Sequence, residues 1–191
     1  MCERIRGIEG FTSYSELPQF YIDAVISVED HRFENHCGID LIAIGRAMLT
    51  DIKEHSFIQG GSTITQQLAK NMLFTQEKKL ERKVVEVFAA LELECNYSKE
   101  DIFELYVNTS YFGNGYYGVR EAADGYFGKT FSEFSEYECA MLAGIPNAPS
   151  VYSLDVRPDL TKQRQEKVVE CMVEVKYITE DEGNRILKER K

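Results

Sequence analysis

Helix-start signals recur along the whole chain while strand signals are weak, and this contrast limits the possible folds more than any other feature. Capping pairs occur at Thr63 and Gln66, Ser98 and Asp101, and Thr179 and Glu182. Glycine-rich breaks lie at 111–118 and 144–149. The chain is therefore predicted to be mainly α-helical. The predicted helices cover residues 18–30, 40–53, 63–74, 78–96, 99–108, 119–127, 133–144, 161–176 and 180–190.

The overall composition excludes several classes of protein. The chain has 191 residues, enough for one domain with its own core. Its formal net charge of -10 argues against nucleic acid as a partner. The 5 cysteines are odd in number and lack metal-ligand spacing, so neither a disulfide framework nor a zinc site is expected. No apolar run reaches about 18 residues, and any membrane anchor is expected to lie outside this piece.

An unusually apolar segment occupies the second predicted helix and the residues just after it, 40–57. Its large apolar side chains fall within little more than three turns: Leu41, Ile42, Ile44, Met48, Leu49 and Ile52. A helix buried on most sides would have this surface, and so would a helix that touches a membrane or a lipid tail. The sequence leaves both interpretations open.

Glu29 lies on the apolar side of the first predicted helix. Ile22, Val25 and Ile26 form an apolar stripe, and Glu29 follows Ile22 by seven residues, about 20° away on a helical wheel. A carboxyl group there is either paired or has a raised proton affinity, as a general acid or base requires. The alternative is an ordinary helix-end glutamate in contact with solvent.

Residues 59–71 predict a binding surface at the start of a helix. Gly60 and Gly61 free the backbone, and Lys70 adds a positive charge on the face of Gln66, four residues earlier. Further hydrogen-bonding groups come from Ser62, Thr63, Thr65, Gln66 and Gln67. Such a helix start can bind an anion or a sugar. The alternative is a well-capped helix without a ligand.

The helix predicted from residue 78 has two different faces. Its predicted core stripe consists of Leu80, Val84, Val87, Phe88 and Leu91. Its polar face consists of Lys79, Arg82, Lys83 and Glu86. Arg82 and Glu86 have the spacing of a solvated salt bridge. Alternatively, the forked donors of arginine and the mobile charge of lysine form a face that binds pyrophosphate.

Four motifs, in one order, resemble those of the peptidoglycan glycosyltransferases, the family that includes the glycosyltransferase domain of class A penicillin-binding proteins and the monofunctional biosynthetic transglycosylases. The motifs are Glu29–Gly38, Gly60–Gln67, Arg82–Glu86 and Lys99–Asn108. The resemblance extends from about Pro18 to Ile186. It departs from the family pattern at Val85, where lysine is frequent, and at Gln165, where a second arginine would follow Arg164.

The resemblance implies a lysozyme-like fold in which residues 1–191 form one domain, with a small membrane-facing jaw lobe at about residues 38–60. It implies an enzyme that polymerises lipid II onto a growing lipid-linked glycan strand, with inversion and release of undecaprenyl pyrophosphate. The implied location is the extracytoplasmic face of the bacterial cytoplasmic membrane, where the membrane surface and other cell-wall synthesis proteins are potential partners.

Carried over position by position, the resemblance makes Glu29 the base that deprotonates the acceptor 4-hydroxyl, and Glu86 the second catalytic glutamate, at the donor site. It implies sugar or pyrophosphate binding by Arg46, Ser62, Thr63, Gln66, Gln67, Lys70, Arg82 and Lys83. A divalent cation, Mg²⁺ or Mn²⁺, would neutralise the diphosphate, with Asp30 as its candidate oxygen ligand. No organic cofactor is implied.

Two other functions are compatible with parts of this pattern. A lysozyme-like muramidase or lytic transglycosylase would share the fold and the glutamate, but it needs no phosphate-binding residues, so Lys70 and the basic cluster 78–83 favour glycosyl transfer. A non-catalytic module that binds lipid II is suggested by the departures at positions 85 and 165. The presence of both Glu29 and Glu86 argues against it.

Overall fold

The computed structural model describes residues 2–46, 61–73 and 79–189, without the side chains of 79–82. The α-helices are α1 Cys2–Arg6, α2 Gln19–Glu29, α3 Ile64–Leu73, α4 Lys79–Asn96, α5 Lys99–Thr109, α6 Val119–Phe127, α7 Glu136–Gly144, α8 Pro149–Tyr152, α9 Pro158–Glu174 and α10 Glu180–Lys188. Residues 41–46 are also helical. In these ranges no β-strand forms, and Tyr111 and Tyr117 make an isolated antiparallel bridge. The mainly α prediction is confirmed.

The predicted helices are confirmed within a few residues wherever the structure describes them. α6 agrees at both ends. α9 starts at Pro158, three residues before its predicted start, because proline is well suited to the first helical turn. The helix predicted over 40–53 is confirmed over 41–46, while 47–53 lie outside the described residues. α1 and α8 were not predicted, since 5 and 4 residues are too few to show apolar periodicity.

The predicted capping pairs are all present. The backbone N–H of Thr63 donates to Gln66 Oε1 at 3.1 Å, and the N–H of Gln66 donates to Thr63 Oγ1 at 3.1 Å. Thr179 and Glu182 make the same reciprocal pair at the start of α10. A polar side chain at these positions satisfies backbone donors that the first helical turn leaves without a partner.

The chain divides into two compact units, and the first comprises Met1–His31 and Val107–Lys191. Within it α2, α7 and α9 pack against one another, and α10 packs against α7 and α9. Asn108 ties the N-terminal part to this unit: Thr12 N–H donates to Asn108 Oδ1 at 2.9 Å, and Asn108 Nδ2 donates to Thr12 O at 2.8 Å. The asparagine that ends the fourth motif is therefore structural here.

The second unit comprises Arg32–Tyr106, and in it α3 packs against α4. Lys99 Nζ donates to His36 O at 2.7 Å and to Glu94 Oε1 at 2.8 Å, so it ties the segment before α3 to α4. Gly38 has φ +84°, and a Cβ there would lie 2.9 Å from Ala90 O. Only glycine fits this conformation and this close approach to α4 without strain.

The predicted core stripe of α4 is wrong at three positions, while Val87 is half-buried. Val84, Phe88 and Leu91 are exposed, Phe88 to 68 %, and Leu80 lies among the residues whose side chains are not described. The buried face instead carries Glu86, Ala90 and Leu93. Apolar spacing shows which side chains share a face of a helix, but it does not show which face the neighbouring helix covers.

The apolar segment 40–57 has exposed side chains where the structure describes it. Leu41 is 76 % exposed and Ile42 is 56 % exposed. A fully buried helix is therefore the wrong interpretation for these two residues. The rest of the segment, and with it most of the predicted jaw lobe at 38–60, lies outside the described residues.

Candidate active site

Glu29 is the last residue of α2, and its side chain is only 5 % exposed. Pro18 occupies the N-cap position of α2. At the other end the Asp30 N–H donates to Ile26 O at 3.0 Å, and the backbone leaves the helical conformation. The apolar stripe at Ile22 and Ile26 is buried. The predicted placement of Glu29 on the apolar side of the helix is confirmed, and the solvent-exposed alternative is wrong.

The carboxylate of Glu29 is paired with Arg164 on α9. Arg164 Nη2 donates to Glu29 Oε1 at 3.0 Å. Arg164 Nε lies 3.3 Å from Gly144 O, to which it donates, and the guanidinium lies 5.7 Å from the ring centroid of Tyr152. The sequence identified Arg164 only as the arginine that precedes the departure at Gln165. Its partnership with a residue 135 positions earlier had no sequence signal.

In the second unit, the structure brings together three of the predicted site residues. Lys83 Nζ donates to Ser62 Oγ at 2.8 Å and lies 3.5 Å from Glu86 Oε2. Glu86 is buried, whereas the Lys83 side chain is 45 % exposed. A salt bridge between Arg82 and Glu86 stays a prediction. The side chain of Arg82 lies outside the described residues.

The other hydroxyl and amide groups of the second motif bind neighbouring protein groups. Thr63 and Gln66 are buried in their capping pair, and Thr63 Oγ1 also donates to Gly38 O at 2.7 Å. Gln67 Oε1 accepts from Tyr106 Oη at 3.3 Å. These contacts hold the start of α3 beside Ser62 and fix the direction of its first turn.

Two further predicted cations lie at the surface of the second unit. Lys70 is exposed on α3, and Arg46 is exposed in the helical stretch 41–46. Both are thus accessible to a ligand. Glu29 and Asp30 belong to the first unit, and the binding residues from position 46 to position 86 belong to the second.

The two departures from the family pattern have different surroundings. Val85 is partly exposed on α4. Gln165 is fully buried, and its Nε2 donates to Tyr137 O at 2.7 Å, which links α9 to α7. A second arginine at position 165 would have to place its charge in this buried environment. Gln165 therefore packs one helix on another next to Arg164.

Asp30 does not belong to a three-residue metal cluster in the described part of the chain. Among residues 2–46, 61–73 and 79–189, no three His, Cys, Asp or Glu side chains lie close enough together to hold a metal ion. Asp30 is itself buried. Over the same part of the chain, no helix combines the length and the apolar character that a membrane span needs.

A helical fold, a buried carboxylate paired with arginine and a lysine beside a helix start are compatible with a glycosyltransferase. Residues 6–173 match the family model described as Transglycosylase. The chain belongs to the transglycosylase family, as the motifs indicated, and it is a peptidoglycan glycosyltransferase domain of the kind found in class A penicillin-binding proteins.

Named relatives support this assignment. Penicillin-binding protein 1A of Aquifex aeolicus is 43% identical over 172 residues, which cover 90% of this chain and 24% of that protein. Penicillin-binding protein 1F of Bacillus subtilis is 44% identical over 171 residues, with the same coverage of 90% and 24%. The chain thus spans about a quarter of the length of these relatives.

The fold also has a counterpart among solved structures. The crystal structure of penicillin-binding protein 1A from Haemophilus influenzae aligns with 95% of this chain and 17% of that one. The TM-score is 0.57 at 23% sequence identity, so the likeness concerns the fold. The mainly α, lysozyme-like prediction is consistent with it.

Proposed function

We propose that the chain polymerises lipid II, with Glu29 as the base. The carboxylate takes the proton from the 4-hydroxyl of the acceptor N-acetylglucosamine while this oxygen attacks the anomeric carbon of the donor. The bond from that carbon to the diphosphate oxygen breaks, the configuration inverts and undecaprenyl pyrophosphate leaves. The observation that carries the proposal is the buried Glu29 carboxylate at the end of α2, which is paired with the guanidinium of Arg164.

The pyrophosphate of the donor is assigned to the polar surface of the second unit. Lys83 supports this assignment because its ammonium group is partly exposed and already lies beside the hydroxyl of Ser62. A lysine and a hydroxyl at a helix start suit phosphate oxygens. Glu86 assists at the donor site. The proposed site also includes Arg46, Lys70 and Arg82, while Thr63, Gln66 and Gln67 hold the start of α3 in place beside it.

A divalent cation, Mg²⁺ or Mn²⁺, belongs to the proposal as a partner of the diphosphate. Because the described part of the chain offers no group of three metal ligands, phosphate oxygens would supply most of its coordination. When bound, the cation would neutralise charge on the leaving diphosphate.

The reaction is proposed to take place at the extracytoplasmic surface of the cytoplasmic membrane, because both substrates carry a polyprenyl tail. The apolar side chains that α4 exposes support contact with lipid. The net charge of -10 argues that this contact is apolar, since an acidic protein is repelled by anionic headgroups. Other cell-wall synthesis proteins are further proposed partners.

The two alternative functions are less well supported. Glycan cleavage by a muramidase would leave the surface of Ser62, Lys70 and Lys83 without a role. A non-catalytic module would not need two buried glutamates, each with a basic side chain close to its carboxylate. Glu29 has Arg164 as this partner and Glu86 has Lys83.

Substitution Glu29→Gln tests the base. In the full-length protein, supplied with labelled lipid II and Mg²⁺ or Mn²⁺, this variant is expected to lose polymerisation by at least about 100-fold, because the amide cannot accept the proton. The assay measures glycan polymer by gel electrophoresis and released undecaprenyl pyrophosphate by chromatography. Far-UV circular dichroism should match the unsubstituted protein.

The matched control is Glu170→Gln, which removes a carboxylate exposed on α9. It is expected to retain polymerisation. Full activity of Glu29→Gln would show that another group is the base. Sugar fragments released from mature peptidoglycan, without polymer from lipid II, would instead favour a muramidase.

A further inference from the structure

We infer that Arg164 is a positioning residue for this reaction, which holds the carboxylate of Glu29 in the orientation from which it accepts the acceptor proton. The inference rests on the proposed function. It starts from the Arg164 Nη2 to Glu29 Oε1 contact of 3.0 Å, in which the two side chains are 14% and 5% exposed.

Glu29 lies where a carboxylate is costly without a cation. It is buried, and burial of an unpaired charge is strongly unfavourable. It is also the last residue of α2, and the C-terminal end of a helix carries a partial negative charge. Arg164 supplies the positive charge that offsets both effects. The base is therefore built from two helices, one that carries the carboxylate and one that carries its partner.

Arg164 is itself held on several sides. Its Nε is 3.3 Å from Gly144 O, and its guanidinium faces the ring of Tyr152. A Cβ at Gly144 would lie 2.8 Å from Arg164 Cγ and 3.4 Å from Val168 Cγ2, so the glycine provides the space through which the arginine stem passes. Contacts along its whole length fix an otherwise flexible side chain, which makes it suitable for positioning.

The geometry is compatible with proton transfer. The contact with Arg164 engages Oε1. A carboxylate has two oxygens with about four acceptor sites, so the hydrogen bond from Arg164 does not by itself use up its capacity. Arginine stays protonated throughout, and it therefore orients the carboxylate without competing for the proton.

Other arginine pairs of the first unit lack these properties. Arg185 Nη2 lies 2.8 Å from Glu136 Oε2, but the side chains are 61% and 43% exposed. Such a surface pair contributes little to stability or orientation. Arg185 therefore provides a matched control, because its removal deletes an arginine from the same unit without touching Glu29.

The experiment compares Arg164→Ala, Arg164→Lys and Arg185→Ala in the full-length protein, with lipid II as substrate. We expect Arg164→Ala to lower kcat by roughly 100-fold and to change KM for lipid II less than about threefold, as misplacement of a reacting group predicts. Arg164→Lys should recover part of kcat, because it keeps the positive charge but lacks the planar set of N–H donors of the guanidinium group. Arg185→Ala should behave like the unsubstituted protein.

The kcat of Arg164→Ala with added guanidinium ion separates positioning from a merely structural role. A small cation can replace the missing guanidinium group, but it cannot repair a packing defect. Guanidinium should raise kcat of Arg164→Ala saturably, whereas sodium chloride at the same concentration, or guanidinium with Glu29→Gln, should not. Unchanged kcat in Arg164→Ala would overturn the inference. So would a loss of kcat, at an unchanged melting temperature, that neither lysine nor guanidinium restores.

The two hypotheses fail in different ways. If the unsubstituted protein makes no polymer, the proposed function fails. If it makes polymer, and Glu29→Gln does not, the proposed function stands and the Arg164 variants decide the inference alone. Should Arg164→Ala fold poorly, Arg164→Gln takes its place, and an unchanged kcat of that variant relative to Arg185→Ala again overturns the inference.

Discussion

Gly144 shows at the scale of one residue how a missing side chain can serve a site that it does not contact. It ends α7, and its carbonyl oxygen accepts from Arg164 Nε. The virtual Cβ at 2.8 Å from Arg164 Cγ would meet the stem of the side chain, close to the backbone of α9. Any larger residue must therefore move the arginine, α9 or both.

The substitution Gly144→Ala is expected to lower the free energy of unfolding by about 1–3 kcal/mol, the usual cost of overpacking. It should also lower polymerisation in the folded protein, because Arg164 leaves its place beside Glu29. Urea unfolding and the lipid II assay measure the two effects. Gly7→Ala is the control, since its Cβ would meet backbone oxygens at an ordinary 3.6 Å. Unchanged polymerisation in Gly144→Ala would contradict the expectation.

The sequence predicted one half of the Glu29 site. The spacing from Ile22 placed Glu29 on the apolar side of its helix, because helical periodicity is a local property. Arg164 lies 135 residues further along the chain and meets Glu29 only when α2 and α9 pack together. Contacts of this kind depend on tertiary packing, so no local pattern could identify the partner.

At the scale of elements, the start of α7 combines a helix cap with an ion pair. Ser135 and Glu138 form a capping box, and Lys129 Nζ donates to Glu138 Oε1 at 2.6 Å. Burial raises the pKa of Glu138, but the hydrogen bonds from Lys129 and from the Ser135 backbone lower it more, so it falls below the ordinary 4.5. The folded state therefore favours the carboxylate over the protonated acid.

This shift predicts an acid-dependent part of the stability. A depressed pKa contributes stability that is fully present above about pH 4.5 and is lost as pH falls through the lower folded value. Glu138→Gln should therefore lose less stability between neutral and acid pH than the unsubstituted protein does, by on the order of 1 kcal/mol. Urea unfolding across that pH range measures it.

Substitution Lys129→Met should flatten the same pH dependence, because it removes the largest of the hydrogen bonds that lower the pKa of Glu138. Lys167→Met, which removes an exposed partner of Glu170, is the control. If Glu138→Gln and the unsubstituted protein lose equal stability in acid, the ion pair does not contribute in this way.

The helices themselves were predictable because capping pairs and proline act within one turn. The buried face of α4 was not predictable from the sequence. Val84, Phe88 and Leu91 have the spacing of a core stripe, yet α4 packs against α3 and buries Glu86 and Ala90. Which face is covered depends on the neighbouring helix, and the sequence of α4 alone contains no information about it.

At the scale of the whole molecule, each compact unit contains one buried glutamate close to a basic side chain. In the first unit this is Glu29 with Arg164, and in the second it is Glu86 with Lys83. The two basic side chains differ in exposure: Arg164 is 14% exposed and Lys83 is 45% exposed. The buried arginine is suited to hold a carboxylate, and the more exposed lysine is suited to meet a ligand.

The whole molecule combines a net charge of -10 with exposed apolar side chains on the second unit, and this combination predicts its behaviour with lipid vesicles. Apolar contact should bring it to phosphatidylcholine vesicles, whereas charge repulsion should weaken binding to phosphatidylglycerol vesicles at low salt. Flotation of the 191-residue chain with vesicles of each composition measures both.

Phe88→Ser with Leu91→Ser should then reduce flotation with phosphatidylcholine at least about tenfold, since each large apolar side chain removed from water contributes roughly 1.5–3 kcal/mol. Val156→Ser is the matched control, because it removes a side chain of the first unit that is 55% exposed. Equal flotation of the double variant and the unsubstituted chain would mean that α4 does not contact lipid. Tighter binding to phosphatidylglycerol would mean that a local basic surface, such as the one around Lys83, outweighs the net charge.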